Sequence, residues 1–597
     1  MIGEQLPFLG VRRSVSDVAW VHRLNDRQEM VALAMAQGHG VSDIVARVLA
    51  GRGVTAGEVE RFLDPSIRDL LPDPATLTDM NLAAERLVEA ILRREKVAIF
   101  GDYDVDGAAS SALMKRFLDH FGVQSEIYIP DRIFEGYGPN PDAMRDLVAR
   151  GARLIVTVDC GTNSAASIAA AREAGADVVV IDHHQVGGPL PSGVPVVNPN
   201  REDDLSGQGH LCAAGVVFLA LVQTARVLRH KRPDLAQPDL LAMLDLVALA
   251  TICDVVALTG VNRAFVVKGL LAIRHQKNAG LTALARVSRI GEPINTFHLA
   301  FLLGPRINAG GRIGDAALGS RLLCTDDPVE AGQIAETLDR LNQERQAMEQ
   351  DMLAQARAEA DAELAGGSGP AVLVTANDTW HPGIVGLLAS RLKDHARRPA
   401  FAIAFNPSGL GTGSGRSVSG FDLGRLVREA YEHGLIVKGG GHAMAAGITV
   451  ERSKLGALRA FFEERAATEV FQLQDQEVLS IDAALSADGA TQALIDELEK
   501  AGPFGAGYPA PVFVLPRHLL RDARLVGTSH LRVDLQSDAG GKIQAMAFRA
   551  LGTPLGDFLV KSRGSHIHLA GQIQANYWNG GRTVQFRITD AAQASTV

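Results

Sequence analysis

From Lys96 onward, short apolar runs alternate with alanine-rich stretches: Val97 to Phe100, Ile127 to Ile129, Leu154 to Val158 and Val178 to Ile181. Runs this short and this rich in β-branched residues predict strands, and their alternation with helical stretches predicts βαβ units around a mainly parallel sheet. Upstream, residues 1 to about 85 mix helical periods with turn signals such as Asp64-Pro65 and Asp73-Pro74, and no chemistry is legible there. Downstream, Pro328 to Leu364 lacks Gly and Pro after its start, apart from Gly332, and spaces Leu338, Leu341, Met348 and Met352 among many charges. That pattern predicts one long amphipathic connecting helix.

Gly366-Gly367-Ser368-Gly369-Pro370 ends the helical pattern, and Ala371 to Val374 opens a second α/β region reaching about Val470. After Pro509-Ala510-Pro511 the chain turns to short alternating segments, Leu531 to Leu535, His566 to Leu569 and Val584 to Ile588, which predict a small β-barrel. At 597 residues the chain exceeds what one core usually supports, so several domains are expected.

Charge changes this picture in one place. The net charge of −9 excludes a protein that coats nucleic acid through global positive charge, yet residues 511–597 hold ten Lys/Arg against five Asp/Glu. Nucleic-acid contact is therefore expected to be local and near the C-terminus. Cys160, Cys212, Cys253 and Cys324 form no CxxC pair, which argues against a zinc knuckle or a disulfide framework and fits a reducing cytoplasm. The most apolar stretch, Leu240 to Gly260, is broken by Asp245 and Asp254, so no membrane span and no export are expected.

Three predicted strands end abruptly in metal-type ligands. Val97 to Phe100 runs into Gly101-Asp102-Tyr103-Asp104-Val105-Asp106-Gly107, Leu154 to Val158 into Asp159-Cys160-Gly161, and Val178 to Ile181 into Asp182-His183-His184. In an open α/β sheet the ligand crevice lies beyond the carboxyl ends of the strands, so residues far apart in sequence converge. Carboxylates gathered this way repel one another and resist ionisation unless a cation neutralises them. Oxygen ligands with one or two imidazoles suit Mn²⁺ or Mg²⁺ better than a structural zinc site. Asp254, closing the apolar run Leu249 to Cys253, is a fourth candidate. Taken singly, each segment has a plainer reading: Asp182 fits a turn or helix cap, and a His-His pair fits ordinary hydrogen-bonded structure.

These motifs resemble those of the DHH phosphoesterase superfamily and, within it, the RecJ family of exonucleases. Pro130 to Gly138, Gly304 to Gly314, Trp380 to Gly386 and Gly439 to Gly447 resemble further signatures of that family, and the similarity runs from about residue 90 to the C-terminus. The resemblance implies an α/β fold with a parallel-sheet DHH domain and a second α/β DHHA1 domain joined by a long helix, plus a C-terminal OB-fold barrel. The corresponding divisions are an N-terminal, mostly helical segment 1–85, a DHH domain 86–325, the connecting helix 326–366, a DHHA1 domain 367–472 and an OB-fold domain 473–597. It implies Asp104, Asp106, Asp159, His183 and Asp254 as ligands of two divalent ions, with Asp102 at or near them, Asp159 bridging and His184 beside the scissile phosphate. Phe100 stands where many superfamily members carry a metal-binding His, which places more weight on Asp102; Ala257 and Pro139 also depart from the family pattern.

The activity implied is two-metal hydrolysis of single-stranded DNA from its 5′ end, releasing 5′ mononucleotides, in recombination and repair. The implied partners are a single-strand-binding protein and a helicase. Arg132, Arg306, Arg312, Arg391 and Arg416 lie in or beside the motifs as candidate phosphate contacts, because a guanidinium fork holds phosphate oxygens bidentately. Gln343 is a family-implied contact, and His442 is a candidate donor within the glycine-rich segment. Tyr577, Trp578 and Phe586 are candidates for base stacking or for barrel core. Two rival readings are a phosphodiesterase of short oligonucleotides or cyclic dinucleotides and a non-catalytic strand-binding scaffold. The first leaves the basic barrel without a task, and the second is expected to have lost metal ligands that this chain keeps.

Overall fold

The structure, a computed structural model, describes residues 6–131, 135–136, 138–365, 369–578 and 581–594. Strands Val97–Phe100, Ser125–Tyr128, Leu154–Val158, Asp177–Ile181 and Val196–Val197 form one all-parallel sheet, as expected from the βαβ rhythm. Val97–Phe100 lies between Ser125–Tyr128 and Leu154–Val158, followed by Asp177–Ile181 and then the short edge. The two central strands are buried at every residue, which is why they read as unbroken apolar runs rather than alternating ones. Helices Val105–His120, Ala213–Lys231, Leu244–Cys253 and Gly260–Arg274 contribute to the larger core on one face, while Pro141–Ala149 and Ala165–Glu173 cover the other.

Two helices run across divisions that the sequence suggests. Met80–Arg93 passes residue 85 and buries Met80, Ala83, Leu87 and Val88 in the core of the parallel-sheet unit. Leu455–Asp475 passes residue 472 and packs Leu458, Phe462, Ala466 and Val470 into the second α/β core. The helix Pro328–Leu364 is continuous over 37 residues, started by Asp327 as N-cap with Pro328 at the first position. Its first half packs Ala331, Ile334, Ala335 and Leu338 on the parallel-sheet unit, and its second half packs Met352, Ala356 and Ala360 on the next domain.

That next domain carries a mixed five-stranded sheet in which Leu373–Asn377 pairs parallel with Ala400–Phe405, and Leu410–Arg416, Ala445–Glu451 and Lys438–His442 follow antiparallel. The C-terminal strands Phe513–Val526, His530–Gln536, Lys542–Ala547, Gly581–Gln593 and His566–Trp578 pair in that order, and His566–Trp578 returns to Phe513–Val526 to close a barrel. Phe586 is fully buried inside it, so it is core and not a stacking surface; Tyr577 remains 42% exposed.

The mostly helical N-terminal segment packs against the C-terminal barrel. Strand Ala19–His22 pairs parallel with Val478–Ile481, Trp20 donates its indole N–H to buried Asp590 at 2.8 Å, and helices Asp26–His39 and Asp43–Ala50 share the barrel's core. Sequence reading missed this because a parallel pair about 460 positions apart leaves no local pattern. Among the described residues no helix is long and apolar enough to cross a membrane.

Candidate metal centre

Three strands of the parallel sheet, Val97–Phe100, Leu154–Val158 and Asp177–Ile181, hand their polar residues to the same end of the sheet. After Phe100, a Cβ on Gly101 would lie 2.2 Å from Ser111 Oγ, and one on Gly107 would strike the Asp102 backbone at about 2.5 Å. Only glycine lets the chain turn directly into the helix that begins at Val105. Asp104 caps that helix, accepting the amides of Asp106 at 2.9 Å and Gly107 at 3.1 Å. Asp159 follows Val158 with φ of 60°, a left-handed conformation that non-glycine residues rarely adopt and that clusters at functional sites.

The ligand atoms of Asp102, Asp104 and Asp159 lie within 4.8 Å of one another, as do those of Asp106, His183 and Asp254, and those of Asp159, His183 and His184. Asp159 and His183 are shared between these groups, an arrangement that suits two neighbouring cations with common ligands. His183 donates Nδ1–H to the Leu211 carbonyl at 3.1 Å, which leaves Nε2 facing Asp159 Oδ1 at 3.3 Å and Asp106 Oδ2 at 3.7 Å. Fixing one ring nitrogen on a carbonyl presents the other as a lone-pair donor, the usual preparation of a metal-binding imidazole. Asp106 is oriented by the first turn of helix Ala213–Lys231, whose Ala213 and Ala214 amides donate to its two oxygens at 2.7 and 2.8 Å.

Burial first, and then the neighbouring carboxylates, push the Asp159 carboxyl far above its ordinary range and that of Asp254 up to about 9. Asp106 rises as well, chiefly through burial. Carboxylates buried against one another are stable in ionised form only with a cation among them, and the hard-oxygen donor set with one or two imidazoles fits a divalent ion.

Asp182 plays a different part. Its Oδ1 accepts the amides of His183 at 2.8 Å and His184 at 3.2 Å and the His184 Nδ1 at 2.7 Å, while Oδ2 accepts from Thr162 N at 3.0 Å. Burial opposes ionisation of Asp182, but these donors outweigh it and hold the carboxyl well below the usual range. Burial likewise opposes charge on His184, and the bond to Asp182 outweighs it, raising the imidazole to about 9. The turn reading of Asp182 is thus correct and incomplete, since the turn it makes also carries a charged imidazole to the edge of the cluster.

Sequence reasoning missed Asn198 and Asn200. Asn198 Nδ2 donates to the His184 carbonyl at 2.8 Å and to Thr162 Oγ1 at 2.9 Å, and Asn200 donates to the His183 carbonyl. They follow Val196-Val197, the same strand-end arrangement as the other clusters but on a run of two residues that is too short to read as a strand.

The candidate phosphate contacts divide. His442 ends strand Lys438–His442 of the second domain, and burial keeps its imidazole below the ordinary value. Arg312 donates to the Gly383 carbonyl at 3.0 Å, tying helix Gly304–Ile313 to the Trp380 to Gly386 loop. Arg416 donates to Ser414 Oγ at 3.0 Å and the Gly415 carbonyl at 2.8 Å. Arg306 and Gln343 both bond Asp339 of the long helix at 2.8 Å, and Arg391 bonds Glu349 at 3.0 Å. Arg132 lies outside the described residues, as does the side chain of Trp578. Cys160 is buried with its thiol pushed far up, an inert environment for a nucleophile.

Family models for the DHH family N-terminal domain, the DHHA1 domain and the RecJ OB domain match residues 96–251, 369–468 and 481–590. The single-stranded-DNA-specific exonuclease RecJ of Salmonella typhimurium is 37% identical over 566 residues, covering 92% of this chain and 95% of that protein. The chain belongs to the RecJ family. The Bacillus subtilis RecJ is 33% identical, across 97% of this chain and 71% of its own length. Among solved structures, RecJ of Thermus thermophilus in complex with Mn²⁺ superposes with a TM-score of 0.77 at 29% identity, covering 97% of this chain and 80% of that one. The shared architecture thus extends over 97% of this chain and 80% of the Thermus one, and the Thermus relative is also known with Mg²⁺.

Proposed function

We propose that this chain is a metal-dependent exonuclease that hydrolyses phosphodiester bonds of single-stranded DNA from the 5′ end, releasing 5′ mononucleotides in recombination and repair. The observation that carries the reading is the convergence of Asp102, Asp104, Asp106, Asp159, His183, His184 and Asp254 at one sheet edge, in a chain aligned over nearly its whole length with RecJ exonucleases. Asp104, Asp106, Asp159, His183 and Asp254 would hold two Mn²⁺ or Mg²⁺ ions, with Asp102 at or near them and Asp159 common to two of the ligand groups. Such ions would supply charge neutralisation at the phosphate and a more acidic water. Water oxygen bonds to phosphorus, the bond to the 3′ oxygen breaks, and that oxygen leaves as the nucleotide's hydroxyl.

The protein's own residues orient the strand. His184, held through Nδ1 by Asp182 at 2.7 Å, turns its Nε2 toward a non-bridging phosphate oxygen. Arg312 and Arg416, placed among glycines that permit close approach, grip phosphates, with Arg132, Arg306, Gln343, Arg391 and His442 as further contacts. The barrel 473–597 tracks the strand through basic residues and Tyr577. The remaining divisions, 1–85, 86–325, 326–366 and 367–472, belong to this same reading. A single-strand-binding protein and a helicase are its expected partners, and the cytoplasm its site of action.

The test compares end-labelled single and double strands with Mn²⁺. Wild type is expected to shorten single strands from the 5′ label, and Asp159→Ala to lose more than about 10³-fold, beyond the roughly 10–100-fold of an outer partner. A chain that cleaves dinucleotides but leaves long strands intact would instead support the short-oligonucleotide reading.

A further inference from the structure

Asp254 is the candidate ligand that does not sit at a strand end: it follows helix Leu244–Cys253 and opens the loop 254–259. The next residue, Val255, has φ of 59°. A β-branched residue in the left-handed region is strained, and such strain persists where the surroundings fix it.

The surroundings come from the far end of the chain. The Leu258 amide donates to the Ala506 carbonyl at 2.9 Å, and Cβ atoms on Gly505 and Gly507 would come to 2.8 Å of Leu258 and 2.9 Å of Ala257. From the helix side, Asn262 Nδ2 holds the Ala257 carbonyl at 3.0 Å. The strap 501–508, which leads into the barrel, thus lies directly against the Asp254 loop.

Arg263 holds that strap. It is 2% exposed, and its guanidinium donates to the carbonyls of Ala501 at 3.0 Å, Gly502, Pro503 at 3.4 Å and, from the N-terminal segment, Phe62 at 3.1 Å. It lies 3.8 Å over the Phe62 ring and 5.3 Å from that of Tyr508. Burying a guanidinium on carbonyls and rings is costly compared with an apolar side chain of the same size, so its presence calls for a task that packing alone does not supply. Only a planar fork can collect several carbonyls of one turn.

We propose that Arg263 is a positioning residue for the metal centre: by clasping the strap 501–508 against the loop 254–259 it sets the place of Asp254, so that the C-terminal unit tunes cation affinity. The proposal rests on Asp254 being a ligand. It makes the barrel and the metal centre thermodynamically linked, since any change that shifts the strap shifts a carboxylate of the cluster.

The experiment titrates the full chain with Mn²⁺ alone, read by electron paramagnetic resonance of the free ion, for wild type, Arg263→Lys and Gly507→Ala. Arg263→Lys keeps the charge but cannot serve the same carbonyls, and it is expected to weaken the Asp254-dependent Mn²⁺ by about tenfold, the effect typical of a lost outer partner. Its turnover is expected to recover at saturating Mn²⁺, which a general loss of folding would not allow. Gly507→Ala is expected to weaken the same ion, and Ala257→Gly added to it to restore affinity, because that second change relieves the contact with the loop and not the backbone strain at Gly507. Folded variants with Mn²⁺ affinity within twofold of wild type would overturn the proposal alone. Failure of the wild type to bind Mn²⁺ would overturn the nuclease reading with it.

Discussion

The metal centre and the C-terminal barrel both gather charge, in opposite ways. At the centre, carboxylates face one another at buried strand ends, and burial drives their protons back on. On the barrel, guanidiniums face carboxylates: Arg582 meets Asp496 and Glu499, Arg524 and Arg563 meet Asp522, and Arg532 lies 3.8 Å from Asp534. Asp522 and Asp534 already count among the five acids of 511–597, so of these pairs only Arg582, with Asp496 and Glu499 outside that stretch, offsets its net excess of basic residues. Repulsion that the fold leaves in place marks a site built for an ion, whereas charge already matched on a surface is worth little to stability and is easily exchanged. The difference predicts that the two regions respond unequally to the same perturbation.

The largest effect is expected from Mn²⁺ itself. Binding to the folded state alone at a hundredfold over its dissociation constant stabilises by about 2.7 kcal/mol, and the gain should appear as slowed hydrogen exchange at 97–107, 154–162 and 178–184, with a smaller gain at the strap 501–508 and the least on the barrel strands. Asp159→Asn should invert this, raising stability without metal by removing one of the mutually repelling carboxylates while abolishing hydrolysis. Equal protection of centre and barrel would break the comparison.

Asp182 sharpens it from within the centre. Asp182→Ala removes the acceptor of three N–H groups around His183 and His184, together with the partner of the Thr162 amide. Activity is expected to fall about 10–100-fold, with long-strand binding by the barrel retained in a filter or anisotropy assay. A loss of binding equal to the loss of activity would show that the two regions are not separable.

The asymmetry also explains what was legible in the sequence. Strand ends carry their ligands at fixed offsets from apolar runs, so the cluster from Asp102 to His184 could be read before any fold was known. The long helix and the parallel order of the sheet followed from local periodicity in the same way. Asn198 and Asn200 were hidden only by the brevity of Val196-Val197, two residues being too short a run to read as a strand. Arg306 and Arg391 stand in or beside the motifs and Gln343 on the long helix, yet the carboxylates that engage them, Asp339 and Glu349, sit on a helix face whose register no motif records. The pairing of Ala19–His22 with Val478–Ile481 and the strap against Asp254 are contacts between distant segments, where chain pattern carries no information.

On the barrel, Tyr577→Ala tests whether exposed aromatic surface binds strand. Stacking of one base on an aromatic ring contributes roughly 1–3 kcal/mol, so affinity for a long single strand should weaken by at least about fivefold while cleavage of a strand too short to reach the barrel is unchanged. Phe586→Leu, a change in the buried core, should lower barrel stability and leave the affinity per folded molecule as it was.

The smallest effect expected is on the acid side of neutrality. His518 Nε2 accepts the Ala487 amide at 3.1 Å while its Nδ1 faces the Pro516 carbonyl at 2.9 Å, and His568 Nδ1 accepts the Arg517 amide at 3.1 Å. Burial holds both imidazoles below the ordinary value of 6.5, and a proton at either accepting nitrogen would set donor against donor. In the unfolded chain both rings take up protons as pH drops below about 6.5. Their contribution to barrel stability is therefore complete above that value and is lost as pH falls from it toward the lower folded-state values. Hydrogen exchange followed from pH 7 to pH 5 should show strands Phe513–Val526 and His566–Trp578 losing protection, and His518→Gln, whose amide oxygen can still accept from Ala487, should flatten the dependence. An unchanged slope in that variant would move the acid sensitivity away from His518, and an unchanged slope on adding His568→Gln would move it out of the barrel.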